Sequence, residues 1–199
     1  MNVESPELIL RITGGLAAGT SHTKTVLEQA QAGDLNAFEE LMRAHERQVL
    51  GTALRLLGRL EDAQDAAQEV FMRLFRHLKR LQAAEAVAPW LYRVTVNVCN
   101  DAWQKRRPSS DIADFDLASE GPDPEAMAGQ AERQRAVARA LEALPHKERA
   151  ALVLREVEGL STREVAGILG SSEVTVRSQI CTARMKLKKF TDRCVRKKS

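Results

Sequence analysis

The segment from residue 160 to residue 189 constrains the fold most strongly, because it specifies two helices and the turn between them. Ser161 is placed to cap the first helix, and Glu164 follows three residues later to complete a capping box. Gly170 supplies the left-handed residue that ends this helix, and the two serines after it are placed to cap the next one. The second helix has an inward face of apolar residues at helical spacing: Val176, Ile180 and Ala183. The segment therefore predicts a helix-turn-helix.

The outward face of the second helix carries polar side chains suited to reading DNA. Arg and Gln make paired hydrogen bonds to base edges in the major groove, and the start of a recognition helix is where such contacts form. An ordinary helical hairpin is the alternative, but the turn, both caps and a basic flank agree with one another. The candidate DNA-facing residues are Ser172, Val174, Thr175, Arg177, Ser178, Gln179, Thr182 and Arg184.

Charge is distributed unevenly along the chain, although its total is only +3. Residues 177–199 hold nine basic residues and one acidic residue, which suits a surface that approaches phosphate. A solvated basic tail is the alternative, and the preceding helix-turn-helix favours DNA. Residues 108–129 hold six acidic residues, no basic residue and three prolines, which predicts an extended acidic linker.

The remaining chain predicts an all-α protein made of two small helical domains joined by that linker. Apolar positions recur at three- and four-residue intervals, and no alternating strand pattern follows residue 20. We expect a flexible extension at residues 1–21, a helical bundle at 22–107, the linker at 108–129 and the helix-turn-helix domain at 130–199. Residues 8–13 could form a strand. The glycines at 14 and 19 have the spacing of a phosphate-binding loop, but Thr20 occupies the lysine position, so a nucleotide hydrolase is disfavoured.

Several other function classes are also disfavoured by the sequence. The cysteines, Cys99, Cys181 and Cys194, are odd in number and scattered, which indicates a reducing cytoplasm and neither a zinc site nor a disulfide framework. The four histidines are equally dispersed, so we expect no metal and no cofactor. No apolar run approaches the length of a membrane helix, and the N-terminus is acidic where a signal peptide is basic.

Two helices before the linker carry polar faces that suit binding. The helix at residues 62–78 places acids and amides early and arginines late, beside an apolar stripe that includes two phenylalanines. A core helix with a solvated face is the simpler interpretation, and docking onto a partner is the functional one, with the aromatic residues holding the helix rigid behind the polar contacts. The candidate contacts are Asp62, Asp65, Gln68, Glu69, Arg73 and Arg76.

The helix at residues 89–108 carries amides and a basic end. Asn97 and Asn100 can read an adenine or an unpaired base edge, and Lys105 and Arg106 suit phosphate. Its aromatic residues could stack on single-stranded bases or be buried, and for Trp90 we expect burial.

Taken together, these segments resemble bacterial RNA polymerase sigma factors of the extracytoplasmic-function (ECF) group of the sigma-70 family. The resemblance covers about residues 22–190. Its motifs are DAQDAAQEVFMRLFR at 62–76, PWLYRVTVN at 89–97 and ALPHKERAALVLREVEGLSTREVAGILGSSEVTVRSQICTARMKLKK at 143–189. Three motifs in this order make a stronger signal than any one alone.

The resemblance implies a non-enzymatic specificity subunit of the polymerase. The first domain, sigma region 2, would bind the β′ clamp of core RNA polymerase through residues 62–76, and would open and read the −10 element, with Asn97 at a contacting position. The second domain, sigma region 4, would dock on the β flap and read the −35 element through Arg177, Ser178 and Gln179. The linker would thread basic channels of the polymerase.

The same resemblance implies promoter DNA and an anti-sigma factor as partners, and no small-molecule substrate. One departure concerns residues 79–88, which lack the glycine and aromatic residues that family members often use to hold a flipped base. A stand-alone helix-turn-helix regulator that binds duplex DNA as a dimer is the alternative function. It is disfavoured because the sequence has no heptad dimerisation helix.

Overall fold

The structure, a computed structural model, describes residues 19–81, 83–106 and 137–197. No strand occurs within these ranges, which confirms the all-α prediction. The predicted strand at residues 8–13, the glycine-rich segment before residue 19 and the acidic linker lie outside the described residues. No helix among the described residues is long and apolar enough to cross a membrane.

Seven helices can be labelled in chain order within these ranges. They are α1 (Gly19–Gln31), α2 (Leu35–Leu57), α3 (Leu60–His77), α4 (Val87–Arg106), α5 (His146–Leu152), α6 (Thr162–Leu169) and α7 (Glu173–Lys197). Residues 137–142 are also helical, and two short 3-10 turns, Leu78–Arg80 and Ala84–Ala86, connect α3 to α4. We call α1–α4 the N-terminal bundle and residues 137–197 the C-terminal unit.

The N-terminal bundle forms because its helices begin and end at strong local signals. The Asp34 carboxylate accepts hydrogen bonds from the first amides of α2, at 2.8 Å from Asn36 and 3.3 Å from Ala37. Gly58 ends the same helix in the left-handed region, with φ of 79°. A side chain at Gly58 would also overlap the Glu142 carboxylate of the C-terminal unit. Glycine is therefore favoured at this position by its left-handed conformation, while the exposed Glu142 side chain is able to move aside.

The core of the bundle lies between α2, α3 and α4, with α1 packed on α2. Leu41, Leu56, Val70, Leu74 and Leu91 are all nearly inaccessible to solvent. These residues recur at the helical spacing seen in the sequence, so each helix turns one apolar stripe inward. Burial of this kind stabilises a fold by about 1.5–3 kcal/mol per large side chain.

A single π-helical turn interrupts the C-terminal unit. The helical residues before α5 end at Glu142, Pro145 lies directly before α5, and α5 then runs into a π-helical turn at Val153–Val157. The turn closes through the amide of Glu158, which donates to the Val153 carbonyl oxygen at 3.0 Å. Such turns hold one residue more than an α-helical turn and often occur at functional positions.

The two helical groups pack against each other through one continuous set of buried side chains. The buried Arg149 guanidinium of α5 donates to the backbone carbonyl of Leu56 at the end of α2. The ring of His146 lies against Trp103 of α4, with 5.7 Å between ring centroids. The prediction of two small helical domains is confirmed, and the structure adds an extensive contact between them.

Candidate functional site

The helix-turn-helix of the C-terminal unit is built from local capping interactions. Ser161 accepts a hydrogen bond from the Glu164 amide at 3.2 Å, while the Glu164 carboxylate accepts one from the Ser161 amide at 2.7 Å. This confirms the predicted capping box, and these hydrogen bonds lower the pKa of Glu164. Gly170 ends α6 with φ of 59°, and the Ser172 hydroxyl accepts from the Thr175 amide at 3.1 Å. The predicted caps and turn are confirmed.

The second helix of this motif, α7, packs its predicted apolar face inward. Val176 and Ala183 are fully buried and Ile180 is 7% exposed, against Val165 and Ile168 of α6. The interlocked caps and this small core fix the angle at which α7 leaves the turn. The opposite face of α7 is thereby presented to solvent.

Most of the predicted DNA-facing residues lie on that solvent face. The exposed ones are Ser172, Val174, Thr175, Arg177, Ser178 and Arg184, while Gln179 and Thr182 are half-buried. Val174 is 71% exposed, so its methyl groups are accessible at the start of α7.

Both arginines among the predicted DNA-facing residues are paired with a glutamate. Arg177 binds Glu173 at 2.9 Å one turn earlier, and Arg184 binds Glu156 at 2.7 Å. Exposed pairs of this kind contribute only about 0–1 kcal/mol, so phosphate or base contacts can replace them readily.

The amide residues of α4 lie opposite the start of α7. Asn97 is exposed and Asn100 is half-buried, and both line a cavity of about 250 Å³ between the bundle and the unit, which we call the central cavity. Thr175 and Gln179 line the same cavity from the other side. Lys105 is exposed near the end of α4, and Arg106 is its last residue. The structure therefore brings two predicted DNA-binding sets face to face.

Two buried nitrogen and oxygen atoms near this cavity have no hydrogen-bond partner among the described residues. They are Nε2 of His146 and Oε1 of Gln179. Burial, with help from the nearby cations Arg149 and Lys147, lowers the pKa of His146 to about 4. His146 is therefore neutral at physiological pH in this arrangement.

The six predicted polymerase-facing residues lie along one side of α3, which we call the polar stripe. Asp65, Gln68 and Arg76 are exposed, Arg59 lies 3.8 Å from Asp62, and Arg73 binds Glu69 at 2.7 Å. The hydrogen bond from Arg73 is the main cause of the lowered pKa of Glu69.

An apolar groove runs beside this polar stripe, between α2 and α3. This α2–α3 groove has a volume of about 710 Å³, and Gln68 and Arg76 lie along it. Its apolar lining is Phe38, Met42, Leu50, Ala67, Phe71, Met72 and Phe75. The prediction that both phenylalanines of α3 hold the helix from behind is wrong for Phe75, which is 54% exposed. Phe75 projects into the groove and contacts Phe38 edge-on, with 5.1 Å between centroids.

Sequence reasoning missed this groove because periodicity assigns every apolar residue to the core. The available signal was the width of the stripe on α3, since Met72 and Phe75 extend it beyond what one buried face needs. Trp90, expected to be buried, is half-buried and stacks on His77 with 5.0 Å between centroids.

Two family descriptions match the chain. "Sigma-70 region 2" matches residues 41–108, which contain α3 and α4, and "Sigma-70, region 4" matches residues 134–187, which contain the helix-turn-helix. The matched segments therefore include the polar stripe of α3, helix α4, the helix-turn-helix and most of the α2–α3 groove.

Two sigma factors and one solved structure are similar to this chain over about four fifths of its length or more. The RNA polymerase sigma-H factor of Pseudomonas aeruginosa is 33% identical over 170 residues, which cover 80% of this chain and 88% of that protein. The ECF RNA polymerase sigma-E factor of Escherichia coli is 33% identical over 172 residues, covering 81% and 90%. The structure of CnrH in complex with the cytosolic domain of CnrY contains a chain that matches with a TM-score of 0.63 and 27% identity, covering 85% and 97%. The chain therefore belongs to the sigma-70 family of bacterial RNA polymerase sigma factors, within its extracytoplasmic-function group.

Proposed function

We propose that this sigma factor divides promoter recognition and polymerase binding between three surfaces. The polar stripe of α3 and the α2–α3 groove bind the clamp of core RNA polymerase. Helix α4 opens and reads the −10 element, and the exposed face of α7 reads the −35 element while the C-terminal unit docks on the flap. Residues 22–107 act as the first module, 108–129 as the tether and 130–199 as the second.

The observation that carries the DNA-binding part is the exposure of the capped helix α7. Its first turns present Val174, Arg177 and Ser178 to solvent on a motif whose fold and charge suit a major groove. Beyond these residues, Lys186, Lys188 and Lys189 are exposed along the same helix. Their charge supports binding to the phosphate backbone.

The polymerase-binding part is supported by the combination of an apolar groove and a charged rim. Exposed apolar residues at a groove are uncommon on a protein without a partner, and Phe75 and Met72 are 54% and 41% exposed. The acids and arginines beside them provide a polar rim of the kind that gives an interface its orientation.

The protein supplies binding energy and no catalysis, and it acts where the polymerase acts, in the cytoplasm. We further propose that an anti-sigma factor controls it. The related CnrH was solved in complex with the cytosolic domain of a second protein, which supports control by a protein partner.

Separate variants of the two surfaces test this proposal. Arg177→Ala should weaken promoter-dependent transcription by about 1–3 kcal/mol of recognition free energy while core polymerase binding persists. Asp65→Ala and Phe75→Ala should weaken core binding and leave the fold intact, because both side chains are exposed. The matched controls are Arg139→Ala and Glu28→Ala, which remove exposed charges outside the proposed surfaces.

Co-purification of the protein with core polymerase would distinguish a sigma factor from a stand-alone regulator. A regulator would bind an operator tightly without polymerase and would not be retained by core. Equal loss of core and DNA binding in Arg177→Ala would contradict the assignment of separate surfaces.

A further inference from the structure

The Glu158 carboxylate of the C-terminal unit accepts hydrogen bonds from three side chains of the N-terminal bundle. The Glu158 oxygen Oε1 accepts from the Thr52 hydroxyl at 3.0 Å and from Arg55 Nη1 at 3.2 Å, both on α2. Its other oxygen, Oε2, accepts from the Tyr92 hydroxyl of α4 at 3.0 Å. The Glu158 side chain is only 12% exposed and Thr52 is fully buried. Charge-assisted hydrogen bonds in such a setting are stronger than those at a wet surface.

In the closed arrangement that Glu158 stabilises, the C-terminal unit covers part of the proposed DNA-binding surface of α4. Arg93 of α4 is engaged by the Gly167 carbonyl oxygen of the C-terminal unit at 2.6 Å. One helical turn further, Asn97 faces the central cavity opposite Thr175 and Gln179. Tyr92, Arg93 and Asn97 therefore all meet the C-terminal unit on the helix proposed to read the −10 element.

The closed arrangement cannot read both promoter elements at once, because the elements lie much farther apart than the two contacting parts of the protein. Elements at −10 and −35 are centred about 25 base pairs apart, which is roughly 85 Å of duplex at about 3.4 Å per base pair. The residues from 107 to 136 can span at most about 100 Å when extended. The chain is thus long enough for the bundle and the unit to separate to the required distance, and they must separate to bind.

We infer that Glu158 is a latch that holds the free protein in the closed arrangement, so that its hydrogen bonds set the fraction of molecules open to polymerase and promoter. The consequence of opening, access to polymerase and promoter, rests on the proposed function. The existence of the latch depends only on the contact between the bundle and the unit. The hydrogen bonds of Glu158 lower the free energy of the closed arrangement relative to the open one. Weakening them therefore shifts the population toward the open state.

The proposal assigns a separate role to Tyr92. Burial first, and then the Glu158 carboxylate, raise the pKa of the Tyr92 hydroxyl, so it remains a hydrogen-bond donor at all physiological pH values. In the open state the same ring is released next to the residues proposed to contact single-stranded promoter DNA. Closing the latch thus withdraws an aromatic side chain from that surface.

The test measures the distance between the bundle and the unit in the full-length protein. Fluorophores are placed by Lys79→Cys and Lys189→Cys, at exposed positions of the two parts, with Cys181 and Cys194 replaced by serine and the buried Cys99 retained. Single-molecule energy transfer then gives the ratio of open to closed molecules. Glu158→Gln, which keeps the shape but removes the charge, should raise this ratio about tenfold.

The matched control is Glu156→Gln, two residues away, because Glu156 pairs with Arg184 inside the C-terminal unit. It should leave the ratio unchanged. Tyr92→Phe removes one donor and should raise the ratio of open to closed molecules about threefold. The double variant, Tyr92→Phe with Glu158→Gln, should exceed Glu158→Gln alone by less than threefold, because both changes act on one network of hydrogen bonds.

Equal ratios for Glu158→Gln and Glu156→Gln would overturn the latch. If Glu158→Gln loses helical content by circular dichroism, Tyr92→Phe decides instead, and an unchanged ratio with intact helicity would also overturn it. Saturating core polymerase should bring every variant to the same open distance. Failure of that step alone would count against the proposed function and leave the latch standing.

Discussion

Replacing Arg149 tests how strongly one buried cation, which binds both the end of α2 and the C-terminal unit itself, contributes to stability. The Arg149 side chain is 5% exposed, and its guanidinium donates to three backbone carbonyls. Nη1 binds Leu56 O, while Nη2 binds Glu142 O at 2.6 Å and Leu144 O at 3.1 Å. The change Arg149→Met keeps an apolar chain of similar length and removes all three donors.

The expected loss follows from these three contacts. Hydrogen bonds from a charged group contribute about 1.5–3 kcal/mol each, which would give about 5–9 kcal/mol without any offset. Burial of the cation is itself unfavourable, and it lowers the pKa of Arg149 below its usual value. The Glu142 carbonyl belongs to an exposed residue and can be rehydrated, whereas the Leu56 and Leu144 carbonyls belong to buried residues. We therefore expect a net loss of about 3 kcal/mol in the free energy of unfolding.

Urea denaturation followed by circular dichroism measures this loss. A decrease of about 3 kcal/mol should also lower Tm by roughly 6–12 °C for a chain of this size. Arg149→Lys should lose about half as much, because a lysine keeps the charge without the planar fork. The matched control is Arg155→Met, since Arg155 donates one hydrogen bond of 3.2 Å to Leu160 O. A loss below about 1 kcal/mol in Arg149→Met, or one equal to that of the control, would refute the reasoning.

Two further predictions concern the C-terminal unit. Ser161→Ala should lower the free energy of unfolding by about 1 kcal/mol, because the Glu164 amide loses its acceptor; an unchanged urea midpoint would show that water replaces the cap at no cost. His146 has a pKa of about 4 when folded and about 6.5 when unfolded, so the unfolded state binds more protons between these values and stability falls as the pH drops through that window. From pH 7 to pH 5 the loss should be about 2 kcal/mol and should be absent in His146→Gln; equal pH slopes for the two proteins would contradict this assignment.

The helix-turn-helix could be predicted almost completely because its determinants are local. The Ser161–Glu164 pair, Gly170 and Ser172 each act within three or four residues, so their effect is visible in a short stretch of sequence. The inward face of α7 was equally predictable, since Val176, Ile180 and Ala183 repeat at helical spacing.

The contact between the bundle and the unit could not be predicted, because it is long-range and largely polar. Glu158 lies 106 residues from Thr52 and 66 residues from Tyr92, and no periodicity links them. Gln179 shows the same limit, since the helical pattern places it beside Ser178 while the packing of α4 makes it half-buried. The exposure of Phe75 likewise depends on where α2 lies.

The extra residue in the π-helical turn at Val153–Val157 has a consequence for how Glu158 tolerates changes in chain length. Because this turn holds one residue more than an α-helical turn, the loss of one residue can be absorbed by its conversion to an ordinary α-helical turn, with Glu158 still on the side of α2 and α4. One added residue has no such outlet and would rotate the carboxylate by about 100°. A short insertion before Glu158 is thus expected to be less well tolerated than a short deletion.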